Sequence, residues 1–566
     1  MTEPQTHLWS VPDAIWPDRT SPQTILFPGQ RFFRVDFSGF DLTGCDLSGV
    51  QFIRCRFVGA KLAGCACRET VFVECDLTDA SLTDADLTGA KLVTCTWTGT
   101  TLGGLVLSGA SVVTTDFRGV SFAGVDLREA RLISSDLRAV DFSGLAFDKV
   151  TSVECDFRGA VLPDALVEAH FIKCDMTEAD LSGRNITLCT FTETDLSDAD
   201  FTNAFLDRTQ ISSCTLTGAR FAGATFENCA SIYAELNAEE LLTSAASVRG
   251  LKLVRGSAAD ADLSGVDLTG CVFVEADLSG ARLTGTTLDN TTIAESDLRE
   301  AVLSKSNATQ FVVSSSKADG IDLSESTLAS FVVMETSLTG AVMARTVFRS
   351  AFLMGAPFAS ITLDRTDFAN ALMPEADLRG KDLRGCRFVQ SMLSKSDLTG
   401  ADLTGVELTQ TQFLESDLTD AKLDGATAQY AMFFPATLKN TSFEGADLRW
   451  SNFGGSTLDM VNLRGVDARQ TMLSNVEVKG ADLTDAKLEY ADLSSSTFTD
   501  VNVNDADLRR STMHDTTTTR TDLTLAKLGG IKGTDEDLKE AQRFRPPAYP
   551  MEYKRRTRDD AGRNHP

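Results

Sequence analysis

A Leu or Phe recurs at every fifth residue along most of this 566-residue chain. These central residues hold one frame over 32–162, a frame displaced by one residue over 166–226, and a single frame again over 263–528, making about 94 units. A period of five fits neither the 3.6-residue turn of an α-helix nor the simple alternation of a long strand. So short a repeat predicts a solenoid, in which each unit is stable only when stacked on its neighbours.

A small residue stands two places before each central residue, often with Asp between them, as in Ala-Asp-Leu-Thr-Gly at 85–89 and 401–405. Residues two apart point to the same side of an extended segment, and the two residues that follow can turn the chain. Cys55, Cys75 and Cys95 share the small position at a spacing of 20 residues. The sequence therefore predicts coils of four five-residue sides, stacked like parallel strands.

These tandem Ala-Asp-Leu-x-x units resemble the pentapeptide-repeat family over roughly 85 per cent of the chain. The resemblance implies an all-β fold, a right-handed quadrilateral parallel β-helix whose interior is filled by the central and small residues. We expect about 23 coils in two segments, with a short inserted helix and terminal caps.

Interruptions of the repeat predict the domain organisation. Within residues 232–250 the pattern fails, and Asn237 with Glu240 is typical of a helix N-cap and capping box. A solenoid exposes its core at each end unless a cap covers it. We expect an N-terminal cap at 1–31, a first solenoid at 32–231, a helical insertion at 232–250, a second solenoid at 251–530, a C-terminal capping helix at 531–544 and a flexible basic tail at 545–566.

The 13 Cys and 4 His raise the question of metal, redox or nucleophilic chemistry. Twelve Cys occupy the small position and Cys67 a central one, so we interpret them as core residues with inert thiols. The His are scattered without a metal-ligand or catalytic constellation, and no phosphate-binding or dinucleotide motif is present. We predict no enzyme, no catalytic residue, no cofactor and no metal.

The formal net charge of −27 comes largely from the repeat, since 31 Asp stand directly before a central residue and should face solvent. The family resembled here includes inhibitors of DNA gyrase whose acidic surface resembles a duplex, which carries one charge per about 1.7 Å of axis. The resemblance thus implies an alternative function, a DNA-mimicking inhibitor or protector of gyrase or topoisomerase. Asp also belongs to the family consensus, so acidity by itself discriminates poorly.

In the stretch 263–528, one side of the predicted coils differs from the other three. Residues that should point outward there are mostly apolar, and soluble monomers seldom expose apolar patches beyond a few hundred Å². We predict that this side binds a protein partner or a second copy of the chain. The predicted partner-binding residues are Val312, Val332, Met334, Phe352, Met354, Leu372, Met392, Leu414, Met432, Phe434 and Met472.

These patterns favour a non-enzymatic scaffold or adaptor without direct nucleic-acid or membrane binding. Some bacterial pentapeptide-repeat proteins resemble this chain in length and accompany secretion machineries, which suggests that context by fold-level analogy. Residues 1–29 lack a basic start followed by an apolar run, and no stretch approaches about 20 apolar residues, so we expect a cytoplasmic protein. The basic tail could be solvated, fold back on the acidic repeats or bind an acidic partner.

Overall fold

In the computed structural model, the described residues are 8–10, 29–232 and 238–543. The chain divides into two compact units, Met1–Gln412 and Phe413–Pro566, and each is a stretch of right-handed parallel β-helix. The predicted fold class is confirmed, with about 24 turns in the chain. The division between the units falls after Gln412 rather than at residues 232–250, where the repeat is interrupted.

The strands of the first unit are short, mostly three residues each, and each pairs in parallel with a strand of the next coil. The longest sheet contains Leu8–Ser10, Arg31–Phe33, Gln51–Ile53, Val71–Val73, Lys91–Val93, Ser111–Val113, Arg131–Ile133, Thr151–Val153, His170–Ile172, Thr190–Thr192, Gln210–Ser212, Ala230–Ile232, Lys252–Val254, Val272–Val274, Thr292–Ala294, Val312–Ser314, Val332–Met334 and Phe352–Leu353. Two smaller sheets contain Phe147–Asp148, Ala165–Val167, Asn185–Thr187, Phe205–Asp207 and Thr225–Glu227, and Asn307–Thr309 with Thr327–Ala329.

The second unit has one five-stranded parallel sheet among its described residues, and isolated parallel bridges join the coils on its other sides. Its strands are Thr437–Lys439, Thr457–Asp459, Glu477–Lys479, Thr497–Thr499 and Thr517–Thr519. The described residues also contain two short 3-10 turns, Phe358–Ser360 in the first unit and Leu523–Leu525 in the second.

Each five-residue unit is one side of a coil followed by a corner. In the unit around Leu77, that central residue and the small Cys75 are buried, while Asp76 between them is half-buried and faces outward. The Ala80 N–H donates to the Leu77 carbonyl over 3.0 Å. Thr78 and Asp79, the two residues between them, occupy what we call the first and second turn positions, and Asp79 has φ of 57°. A hydrogen bond across four residues with positive φ at the third is the pattern of a type II turn. Gly89 fills the equivalent corner with φ of 69°, which explains the frequent Gly there.

Backbone hydrogen bonds tie each coil to the next. The Asp76 N–H donates to the Cys55 carbonyl at 3.0 Å, and the Leu77 N–H donates to the Thr96 carbonyl at 2.9 Å. Polar residues at the small position are also satisfied, because the Thr70 hydroxyl donates to the Leu47 carbonyl of the previous coil at 2.8 Å. Buried hydroxyls therefore leave no unpaired donor at such positions.

Two irregularities change the length of a coil without breaking the ladder. Thr151 pairs with His170, 19 residues on, because one residue is missing at the buried Pro163. Ala230 pairs with Lys252, 22 residues on, and helix α1 (Ala238–Ser244) lies within that coil. Leu241 and Leu242 of α1 are buried. The inserted helix thus lengthens one coil, and strand pairing continues from one predicted solenoid segment to the other. The predicted N-cap Asn237 lies outside the described residues.

The ends of the chain are described only in part. Leu8–Ser10 pairs with Arg31–Phe33, and the rest of the predicted N-terminal cap before residue 29 lies outside the described residues. Helix α2 (Glu536–Arg543) follows the last coil, where Lys539 pairs with Asp515 at 2.7 Å and Gln542 contacts His514 at 3.2 Å. No side chain of α2 is buried. The predicted basic tail at 545–566 also lies outside the described residues.

Aromatic residues at central positions stack along the core of the second unit. The Phe433 ring stacks on Phe413 at 5.0 Å and on Phe453 at 4.6 Å, with interplanar angles of 4° and 11°. The next residue, Phe434, is 48% exposed, because it occupies the first turn position. Of these two adjacent Phe residues, Phe433 therefore lies in the core and Phe434 at the surface.

Phe433 and Phe434 allow a test of which residues of each unit point into the core and which point to solvent. We expect Phe433→Ala to lower the free energy of unfolding by about 3–5 kcal/mol, because it removes a ring from a closely stacked core. Phe434→Ala should lower it by about 1 kcal/mol or less, since most of its environment is already solvent. Urea unfolding followed by circular dichroism measures both changes, and equal effects would contradict this register.

Candidate docking face

Five apolar residues of the first unit lie side by side on the outer surface of the longest sheet and of the isolated bridges that continue it. Val312 pairs with Val332, Val332 with Phe352, Phe352 with Leu372 and Leu372 with Met392. Each is half-buried except Leu372, which is 41% exposed. At about 4.8 Å per coil, the column extends roughly 19 Å.

Apolar residues at the first turn position, two places after each outward residue, widen this column on one side. Met334 is exposed and Met354 is 52% exposed, and Pro374 follows one coil later. We call Val312, Val332, Phe352, Leu372 and Met392, together with Met334, Met354 and Pro374, the docking face. On this side of the five coils, the outward and first turn positions, including Ser314 and Ser394, carry no charged residue.

Charged residues border the docking face instead of interrupting it. Glu335, Glu375 and Lys395 stand at the corner beyond the first turn position, and Arg349 stands at the opposite corner. The same sheet has a polar outer surface in most of its preceding coils. The outward residues there include Arg131, Thr151, His170, Thr190, Gln210, Lys252 and Thr292. The apolar character therefore belongs to particular coils and does not follow from the sheet itself.

Four predicted partner-binding residues lie in the second unit. Leu414 is half-buried, whereas Met432, Phe434 and Met472 are exposed. The polar Asn452 pairs with both Met432 and Met472 and separates them along their column. The Phe434 ring lies over Gly455, where an added Cβ would come within 3.2 Å of a ring carbon. These residues make a less continuous apolar surface than the docking face.

Sequence reasoning missed three exposed aromatic residues of the second unit, Tyr430, Trp450 and Tyr490. All three occupy the second turn position of the same corner, at spacings of 20 and 40 residues. The signal was present, because an aromatic residue is unusual where the turn favours Gly. Tyr430 and Trp450 stack at 5.0 Å with an interplanar angle of 5°.

The consensus Asp residues stabilise the turns. The Asp76 carboxylate accepts the Thr78 N–H at 3.1 Å and the Thr78 hydroxyl at 2.6 Å. Where Arg replaces Thr, the guanidinium binds the same carboxylate, as Arg138 does with Asp136 at 2.6 Å and then Asp156 of the next coil at 3.4 Å. Asp is therefore frequent at this position for a local reason, since its side chain caps the following turn.

All thirteen Cys are buried and free of disulfides. Burial raises the pKa of Cys189, Cys214 and Cys229 to about 11 and that of Cys271 to about 12. Several thiols contact carbonyls of the preceding coil, as Cys189 does with Leu166 at 3.3 Å. Among the described residues no group of three or more His, Cys, Asp and Glu is placed to hold a metal ion.

The described part of the chain has no helix long and apolar enough to cross a membrane. Its two α-helices, α1 and α2, have seven and eight residues, and two acidic residues stand in the first turn of each.

The buried thiols predict slow reaction with a thiol reagent. In native protein, we expect fewer than one thiol to react with dithionitrobenzoate within minutes, because a neutral, enclosed thiol is a poor nucleophile. All thirteen should react after unfolding in guanidinium. Absorbance at 412 nm counts them, and a rapidly reacting native thiol would contradict the assignment of every Cys to the core.

The Asp447 carboxylate predicts a loss of stability in acid. Hydrogen bonds from Arg449 lower the pKa of Asp447 from 3.8 to about 2, against a smaller opposing effect of burial. Because the folded-state pKa is depressed, the stabilisation is complete above about pH 4 and is lost as the pH falls from about 4 through 2. Urea midpoints at pH 6 and pH 3 should therefore differ more for the wild type than for Asp447→Asn. Equal differences would exclude this contribution.

No curated protein matches the chain. Solved structures that resemble it include HetL, a pentapeptide repeat protein involved in heterocyst differentiation regulation from Nostoc sp. strain PCC 7120, with 28% identity over 42% of this chain and 88% of that one and a TM-score of 0.15. QnrB1, a plasmid-mediated fluoroquinolone resistance protein, has 15% identity over 41% and 95% of the two chains and a TM-score of 0.20.

A pentapeptide repeat protein from the thylakoid lumen of Arabidopsis thaliana has 27% identity over 19% of this chain and 69% of that one, with a TM-score of 0.12. The model of the family described as pentapeptide repeats matches residues 31–65, 60–96, 106–144, 189–228, 259–293, 362–400, 396–429, 435–467 and 479–515. These stretches cover more than half of the sequence, and the chain belongs to the pentapeptide-repeat family.

Proposed function

We infer that this protein is a non-enzymatic scaffold whose first unit binds a protein partner through the docking face. The observation that carries this proposal is one side of the solenoid on which five consecutive coils have no charge at the outward and first turn positions. The surrounding repeat places Asp at many such outward positions, so an uninterrupted apolar surface requires a separate explanation.

The backbone beneath the docking face suits it for binding. Val332 and Phe352 lie on strands whose N–H groups donate to carbonyls of the preceding coil, at 2.9 Å and 2.7 Å to Phe311 and Phe331. A surface held in this way loses little conformational entropy when a partner binds, so more of the gain from burying apolar area remains as affinity. That gain is about 25 cal/mol for each Å² removed from water.

The rim supports a protein partner with its own charged border. Glu335 and Glu375 stand along one edge, with Lys395 at the end of that edge. Charges at the rim of an interface mainly govern the association rate and the orientation of the partner. A partner with an apolar centre and basic residues opposite the two Glu would fit, and partners in a bacterial secretion machinery are the context suggested by analogy with long family members.

The alternative proposal, DNA mimicry directed at gyrase, receives less support from the charges. Much of the acidic surface is engaged locally, because Asp136 and Asp156 bind both turn N–H groups and Arg side chains. The ion pairs continue from Asp116 through Arg118, Arg138 and Arg158 to Asp175. A mimic of a duplex instead needs uncompensated charge at regular spacing.

Lysine substitutions test the docking face. We expect Phe352→Lys combined with Leu372→Lys to weaken partner binding at least about 100-fold, because two buried interface residues each contribute more than about 1.4 kcal/mol. Affinity capture from the native host, quantified by mass spectrometry, compares the wild type with this variant. Light scattering on the purified protein identifies the case in which the partner is a second copy.

The matched control is Val342→Lys with Val347→Lys. Both valines are half-buried outward residues on other sides of neighbouring coils, paired with Thr362 and Asp367. The control variant should retain the binding that the docking-face variant loses. Identical captured proteins and an identical mass for all three proteins would overturn the proposal.

A further inference from the structure

Three aromatic residues of the second unit adopt a backbone conformation that favours Gly. Tyr430, Trp450 and Tyr490 have φ of 57°, 61° and 62°, and we call these three residues the aromatic corner. A bulky residue at positive φ is strained by about 1–2 kcal/mol. Gly425, Gly445 and Gly465 occupy the second turn position elsewhere in the same unit with similar φ. Gln470 and Arg510 have the same conformation on the same corner, with φ of 59° and 60°, so the three rings and not the backbone distinguish the aromatic corner.

The rings of the aromatic corner are accessible from solvent. Trp450 is 38% exposed and Tyr490 is 51% exposed, although each has a cation at its face. The Arg449 guanidinium lies 5.3 Å from the Trp450 ring centroid, and that of Arg510 lies 5.5 Å from the Tyr490 ring. Arg510 also hydrogen-bonds the Tyr490 hydroxyl. These contacts fix the rings while leaving part of each available to a ligand.

The arginines beside the aromatic corner are already paired with acids. Arg449 binds Asp447 at 2.6 Å, Arg469 binds Asp467 at 2.7 Å, and Arg509 binds Asp507 at 2.6 Å. The described residues 413–543 carry 22 Asp and Glu against 14 Lys and Arg. An anionic ligand such as a nucleic acid is therefore disfavoured, and the surface suits a segment that is uncharged where it meets the rings and basic elsewhere.

The spacing of the rings matches a polyproline II helix. Trp450 and Tyr490 are two coils apart, which is about 9.6 Å at 4.8 Å per coil. A polyproline II helix repeats every three residues, about 9.3 Å, and its carbonyls have no internal hydrogen bonds. Prolines at positions i and i+3 would thus meet the two rings in register. Gln470, on the coil between them, and the cluster of Tyr490 and Arg510 offer donors for the peptide carbonyls.

A cleft continues the aromatic corner toward the end of the last coil. It has a volume of about 520 Å³ and is lined by Glu489, Tyr490, Arg509, Arg510, Gly529 and Gly530. The Glu489 carboxylate accepts from Arg509 at 3.0 Å through one oxygen, while its other oxygen is buried and has no hydrogen-bond partner among the described residues. A basic or N–H-bearing segment crossing the cleft would satisfy that oxygen.

The chain itself contains a segment with these properties. Residues 544–566 include Pro546, Pro547 and Pro550, and six Lys and Arg against three acids. Pro547 and Pro550 have the i, i+3 spacing. They follow the end of α2 at Arg543 by four and seven residues, about 12 and 22 Å in a polyproline II conformation. Because α2 is anchored at His514 and Asp515, this length reaches the coils of Tyr490 and Trp450.

We propose that residues 544–566 dock on the aromatic corner, with Pro547 and Pro550 against Tyr490 and Trp450 and the basic residues beyond them along the acidic second unit. The segment would cover the rings in the absence of any other ligand. This inference concerns a different surface from the docking face and stands or falls independently of it.

Limited trypsin digestion of the full chain tests the docking. Mass spectrometry follows cleavage after Lys554, Arg555, Arg556 and Arg558. If the segment is docked in about 90% of molecules, Trp450→Gly with Tyr490→Gly should accelerate these cleavages about tenfold, because cleavage follows the undocked population. Gly is compatible with positive φ, so the variant should fold, as its thermal unfolding will verify.

Met460→Gly is the matched control, because Met460 is exposed and has φ of 58° at another corner of the same unit. It should leave the cleavage rate unchanged. In the segment itself, Pro547→Ala with Pro550→Ala should accelerate cleavage like the double Gly variant, whereas Pro546→Ala should retain the protection. Cleavage of the wild type as fast as the double Gly variant, or equal effects of all variants, would overturn the proposal.

Discussion

The hydrogen-bond ladder between successive coils is the interaction on which the rest of this structure depends. Backbone N–H groups of each coil donate to carbonyls of the preceding coil, close to 20 residues earlier, as Asp76 does to Cys55 and Lys91 does to Thr70. The ladder is possible only because the chain turns at every fifth residue, so that after four sides it lies next to the residue about 20 positions earlier. A corner residue with positive φ, such as Asp79 or Gly89, is therefore as important to the fold as the Leu and Phe in the core.

The ladder tolerates changes in coil length but not loss of register. A coil shortened by one residue near Pro163 and one lengthened by two residues around α1 both retain parallel pairing with the following coil. The extra or missing residues are taken up at a corner or in the helix, where no interstrand pairing is required. A change within a side would instead turn its inward residues outward, because side chains alternate along an extended segment.

Inward side chains are constrained by packing and the corner backbone by turn geometry, so binding functions reside in side chains that point to solvent, from a side or from a corner. Most outward residues serve the fold as well, since Asp76 and Asp126 cap the turns that follow them. The docking face and the aromatic corner are the exceptions, because their side chains contribute little to any turn.

The sequence by itself determined the repeat, the four sides of each coil, the burial of the Cys residues and the outward direction of Val332 or Leu372, because a strict period fixes which side chains share a face. It also predicted an inserted helix, found at Ala238–Ser244. Only the tertiary structure decided that Asp447 binds Arg449 and that Tyr430 stacks on Trp450. These contacts join residues two or twenty positions apart through side-chain rotamers and corner geometry, which a one-dimensional period does not specify.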